Sequence, residues 1–166
     1  MKFFLVSCVA IAVTGLYGCA NNQPAVTTAA PTTPMQVSAS MPTLAAGYVK
    51  VAATPGSSLY FVNLKDGETL TSPVLIQFGL RGMGVAPAGI EKAGTGHHHL
   101  LVDVASLDVN SPIPTSDQHR HFGLGQTEVR LDMKPGQHTL QLIMGDQNHI
   151  PHHPVVMSER ITITVK

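Results

Sequence analysis

The sequence predicts an all-β fold, an antiparallel β-sandwich, and three observations lead to it. First, apolar residues recur two apart over short runs: Val74, Ile76, Phe78 and Leu80 in "SPVLIQFGL", then Leu140 and Leu142, then Ile161, Ile163 and Val165. That period places every second side chain on one face of a strand. Second, glycine and proline punctuate the joins at "KDGET", "RGMGVAPAG", "SPIPTSD" and "KPGQ", where turns need their backbone geometry. Third, no stretch between these joins combines the length and the 3.6-residue period of a helix.

Taken in order, the first strand is predicted over 59–63, where "LYFVN" is rich in aromatic and β-branched residues. The second, 73–80, carries the longest in-phase apolar run. The third, 97–104, is "HHHLLVDV", an apolar run headed by three histidines. The fourth, 126–132, has Thr127, Val129 and Leu131 in phase; the fifth, 138–144, and the sixth, 158–165, carry the two remaining alternations. Six to eight such strands within residues 57–166 predict an immunoglobulin-like sandwich. The segment "LDMKPGQHTL" fits the corner between strands E and F of that fold, with His138 standing where a tyrosine often does and bonding nearby backbone.

The N-terminus predicts a compartment. "MKFFLVSCVAIAVTGLYGC" has a charge at Lys2, an apolar core from Phe3 to Val13 and a small-residue end, the pattern of a secretion signal over 1–18. Its end, "LYGC", resembles the lipobox of bacterial lipoproteins, which implies cleavage before Cys19 and acylation of that residue. Acyl chains contribute about 0.8 kcal/mol per buried methylene, so two or three of them hold a protein on a membrane. Residues 19–56, dominated by Ala, Thr, Pro, Ser and Gln, predict a disordered tether between that anchor and the domain. Ala20 after the cysteine, rather than Asp, points to the outer membrane of a Gram-negative envelope, facing the periplasm.

Composition narrows the function. Ten basic residues balance ten acidic ones and Trp is absent, which argues against nucleic acid as a partner. Both cysteines, Cys8 and Cys19, belong to the signal and the anchor, so metal chemistry in the mature domain falls to imidazole, carboxylate or thioether.

Imidazole is abundant, with nine histidines. In an immunoglobulin-like topology, the start of the third strand, the chain entering the fourth and the connection between the last two lie at one end of the sandwich. His97, His98 and His99 fall in the first of these segments, His119 and His121 ("DQHRHFG") in the second, and His149, His152 and His153 ("GDQNHIPHHP") in the third. Alternation along a strand puts His97 and His99 on one face and His98 on the other. The predicted metal ligands are therefore His97, His99, His119, His121, His149 and His152. Imidazole suits zinc and copper alike; Met83, Met144 and Met157 near the same end favour copper, whereas Asp117 or Asp146 as a ligand would favour zinc or nickel. Asp103, Asp117 or Asp146 is expected to orient the second ring nitrogens.

The competing readings are core or loop packing for the methionines, solvated loop histidines, and a polar or pH-sensitive cluster in an interaction module that recognises an envelope polymer or a partner protein. No nucleophile stands beside a base and no acidic pair has fixed spacing, so an enzyme is not the expectation, although a three-ligand metal in an open pocket would revive one.

From Leu59 to Lys166 the chain resembles the bacterial family of the domain of unknown function 4399. The resemblance rests on "LYFVNLKDGETLTSPVLIQFGLRGMGVAPAG", "TGHHHLLVD", "QHRHFGLGQTE" and "GDQNHIPHHPVVMSE". It implies a periplasm-facing domain and supplies no activity. Positions matching the family's histidine motifs are His97, His98, His99, His119, His121, His149 and His152. The expectation is an envelope lipoprotein, anchored at Cys19, whose histidine-lined loop end binds copper or zinc as a buffer, carrier or structural site.

Overall fold

Alternating apolar residues from Leu59 onward do form strands, and the computed structural model, which describes residues 48–166, arranges them as a β-sandwich. The signal peptide, Cys19 and most of the tether lie outside the described residues. The described residues form nine strands: β1 (Ser58–Phe61), β2 (Thr69–Leu70), β3 (Val74–Arg81), β4 (Gly84–Val85), β5 (Thr95–Val102), β6 (His119–Phe122), β7 (Glu128–Leu131), β8 (Gly136–Gly145) and β9 (Ile161–Val165). The described residues contain no helix.

One sheet has the order β1-β3-β7 and the other β2-β9-β8-β5-β4, with β6 also paired to β5. In immunoglobulin terms these are the A-B-E and A′-G-F-C orders, so the predicted class holds. All pairings are antiparallel except the short β2–β9 and β4–β5 ones. The last strand begins three residues later than predicted because Ser158 interrupts the ladder. Its hydroxyl accepts the Leu142 N–H at 2.9 Å, where a backbone carbonyl would otherwise stand.

The in-phase residues close the core between the sheets: Val74, Ile76 and Phe78 of β3 meet Leu100, Leu140, Leu142, Met144 and Ile163. A second cluster, Leu101, Ile143, Val104 and Ile113 with Leu107, Val155 and Met157, covers the outward face of the larger sheet. Strand β5 is consequently buried on both faces, which explains why "HHHLLV" reads as a continuous run rather than an alternating one.

The main departure from the sequence reading is β6. Residues 119–122 do not lead through a loop into the opposite sheet; they pair antiparallel with β5, His121 opposite His99 and Phe122 opposite His98. Backbone pairing also reaches N-terminal to Ser57: Ala53 N–H donates to the His153 carbonyl and His153 N–H to the Val51 carbonyl, each at 3.0 Å.

Candidate metal centre

Register builds the site. On β5, His97, His99 and Leu101 point outward from the larger sheet, and His98 and Leu100 point into the sandwich. Neighbouring strands present the residues opposite them on the same face, so His99 meets His121 of β6 on one side and Ile143 of β8 on the other. His97 stands opposite Gly145. The histidines therefore gather on the outer face of a sheet, beneath the connections that follow β5 and β8. The predicted location, among loops at the end of the sandwich, is corrected accordingly: β6 places its histidine in the sheet itself.

Glycines make the room. A methyl at Gly145 would come within 2.9 Å of His99 Nε2, and one at Gly123 would collide with the His121 ring. With hydrogen in those places, four rings pack together. The His97 centroid lies 4.8 Å from that of His99, 5.0 Å from His121 and 5.0 Å from His149, and His121 lies 4.7 Å from His149.

His97, His99 and His121 are the group that could hold a metal ion. One ring nitrogen from each lies within 4.8 Å of the other two, and the Nε2 atoms of His97 and His99 are 2.9 Å apart. His97 and His99 are fully buried, with no other partner for either Nδ1; His121 is half-buried, and its Nε2 is buried without a partner. Buried nitrogens without hydrogen bonds are rare because their lost hydration is costly. His121 also lines a cavity of about 500 Å³ with Arg120, Phe122, Val129 and Leu131.

Electrostatics prepare these rings as neutral donors. Burial pushes His97 down to about 3, helped by the neighbouring His149 and His121. Burial, then His97 and His121, pushes His99 down to about 2. His121 is lowered in the same direction by burial and His149. A neutral imidazole keeps the lone pair that a metal needs.

Of the remaining predicted ligands, His149 packs against this triad and His119 and His152 are bonded elsewhere. His149 packs its ring edge-on against His97 and His121 and adopts a left-handed backbone, φ 66°, in the turn after β8. His119 lies farther along β6, opposite Leu101, with Nδ1 3.0 Å from the Ser116 hydroxyl. His152 is fully buried over Gly96; its Nε2 donates to the Thr95 carbonyl at 3.1 Å, leaving Nδ1 unpartnered. His98 faces the core, 5.2 Å from the Phe78 ring, with neither nitrogen in a hydrogen bond of good geometry; burial lowers it to about 4, opposed by the Gln126 backbone.

Three carboxylates expected to orient the ligands are engaged elsewhere. Asp103 bonds His138 Nδ1 at 2.7 Å and the Thr139 N–H at 2.8 Å; Asp117 is exposed and pairs with Arg120. Asp146, 1% exposed, accepts the N–H groups of Asn148 and Ile150 at 2.8 and 3.0 Å and the hydroxyl of Tyr48. Met144 lies in the core on the opposite face of β8, while Met83 and Met157 pack in hydrophobic clusters. The methionines thus have the packing role.

His138 does hold the predicted corner, its Nδ1 donating to the Asp103 carboxylate at 2.7 Å and its Nε2 to the Lys134 carbonyl at 2.9 Å. Tyr48 has no sequence signal, since it falls in a stretch without period. Asp146 has one: "DQN" is an Asx-turn pattern.

A family model described as "Domain of unknown function (DUF4399)" matches residues 76–166, more than half of the chain and all of the histidines described above. No curated protein and no solved structure matches the chain.

Proposed function

The chain belongs to the DUF4399 family, whose description assigns no activity, and from its own residues we propose that His97, His99 and His121 bind a transition metal, copper in preference to zinc. The observation that carries this reading is the convergence of three imidazoles, two buried and one half-buried, each with a ring nitrogen within 4.8 Å of the other two. His149 is the candidate for a fourth ligand, from the turn that packs over the other three.

Two considerations favour copper. A metal about 2.0–2.1 Å from both Nε2 atoms, themselves 2.9 Å apart, would subtend an angle of about 90°, closer to a tetragonal site than to the wider tetrahedral angle of zinc. Imidazole sites also bind divalent copper more tightly than zinc. The thioether contribution expected from the methionines is not part of the reading.

We take the protein to be an envelope lipoprotein, anchored through Cys19 and facing the periplasm, in which the site buffers, carries or is structurally held by its metal. The signal sequence and lipobox support that address. Calorimetric titration with Cu²⁺ and Zn²⁺ tests the site: one equivalent binds to the wild type, and binding is lost when His97→Ala and His99→Ala are combined. Equal binding by both proteins would sink the assignment.

A second reading has its own support. Leu124 (84% exposed) and Ile90 (53%) lie on loops, and Val85 on β4, in segments tied beside the site by the Ala88 N–H to Gly123 carbonyl bond. An apolar rim of that kind suits a protein partner. That reading predicts no thermal shift with either metal, and partner capture that is lost when Leu124→Ser and Ile90→Ser are combined.

A further inference from the structure

The loops over the histidines are held by a segment that precedes the first strand. Asp146 organises the turn carrying His149: its Oδ1 accepts the Asn148 and Ile150 N–H groups, and its backbone carbonyl accepts the His149 N–H at 3.0 Å. The other carboxylate oxygen is bonded by the Tyr48 hydroxyl, which also receives the Asn148 side-chain amide at 3.4 Å. Farther along the same loop, His153 is bonded on both backbone groups by Val51 and Ala53. Lys50 donates to the Val109 carbonyl at 2.6 Å, holding the connection that follows β5. That connection is joined in turn to the site, because the Ile113 N–H donates to the His149 carbonyl at 2.8 Å.

We infer that Tyr48–Ala53 is a clasp that governs how long a metal stays in the site, with Tyr48 as the positioning residue for His149. The inference rests on the metal reading above. Its physical basis is local. His149 is kept in an unfavourable left-handed conformation by the bonds around it, and the most buried of those acceptors, Asp146, draws one of its three donors from the clasp. Hydrogen bonds to buried carboxylates are among the stronger ones. Losing the Tyr48 hydroxyl would free the turn to relax, swing His149 off the other three rings and open the path to the ion. Metal release would then respond to whatever lifts residues 48–53, the part of the described chain nearest the N-terminal segment.

The test uses the full chain as wild type, Tyr48→Phe and, as a control at the far corner of the sandwich, Asp103→Asn. Protein loaded with Cu²⁺ or Zn²⁺ is mixed with excess EDTA and the release followed by stopped flow, while amide exchange of residues 113 and 146–153 is measured without metal. The clasp predicts release at least tenfold faster in Tyr48→Phe than in wild type, faster exchange at those amides, and neither change in Asp103→Asn. Unchanged release and exchange in Tyr48→Phe would overturn it, as would equal acceleration in both variants. If the wild type binds neither ion, the metal reading fails by itself, and the exchange comparison alone decides whether the clasp holds the turn.

Discussion

Lowering the pH should unfold the metal-free domain well before its carboxylates protonate. The perturbation acts on His97, His98 and His99, which burial holds at about 3, 4 and 2 in the folded chain. In the unfolded chain each returns to about 6.5. The folded values lie below the unfolded ones, so the unfolded state takes up protons first. Stability is therefore complete above the unfolded value and declines as pH falls from there toward the folded values. Between pH 7 and pH 5 each group removes about 2 kcal/mol, or about 6 kcal/mol for the three. That is comparable with the entire stability of a small domain, about 5–15 kcal/mol. Only His138 opposes the trend, and it is a single group near the surface. Urea denaturation at pH 7, 6 and 5 in chelated buffer measures the effect. His98→Leu, which removes one titrating group and two unpartnered buried nitrogens, should be at least as stable as wild type at pH 7 and reduce the pH slope by about a third. Equal midpoints for the wild type at pH 7 and pH 5 would refute the reasoning, because they would mean that the three rings already carry or readily accept protons in the fold.

Gly145→Ala should push the His99 ring aside, weakening metal binding at least tenfold for a stability cost of about 1–3 kcal/mol; calorimetry beside denaturation separates the two effects. Because the ligand rings are already neutral in the fold, metal binding at pH 7 should release almost no protons. The heat of binding should then be the same in buffers of different ionisation enthalpy, and a dependence equivalent to one proton or more per ion would contradict it. His138→Ala should cost about 1 kcal/mol through its lost bonds to Asp103 and the Lys134 carbonyl, with metal affinity unchanged. Since Asp103 raises the folded value of His138, that loss should be largest below about pH 6.5 and shrink as pH rises through the folded value, as paired melts at pH 6 and pH 8 would show.

Much of the fold was legible because the strands that build the core alternate. Val74, Ile76 and Phe78 announce a half-buried strand on their own, and the six predicted strands appear within a few residues of their limits. The pairing of β6 was not legible. "HRHF" is four residues without an apolar alternation, and its partner is decided by the face of β5 that it covers, a tertiary fact. For the same reason the separation of His97 and His99 from His98 followed from alternation alone, whereas the positions of His119 and His152 depended on where β6 and the turn after β8 come to rest. Carboxylates misled more than histidines did. Asp103 and Asp146 lie within four residues of candidate ligands, yet backbone N–H groups of Thr139, Asn148 and Ile150 claim their oxygens.

Burial of β5 on both faces bears on how the chain finds its pairing. Strand register is usually fixed by the contrast between a wet and a dry side, and β5 has no wet side. A slip by one residue would turn His98 and Leu100 outward and leave a lone imidazole where two now stand. Glycine guards against that slip. Gly96 lies where any β-carbon would come within 2.6 Å of the Gly145 carbonyl and 2.7 Å of the His152 ring, so no histidine of the triplet can take its place. The three consecutive histidines, which taken as a string offer no way to tell one alignment from the next, are thus indexed by the residue in front of them, and an ion bound to His97 and His99 would stabilise only the alignment that presents both.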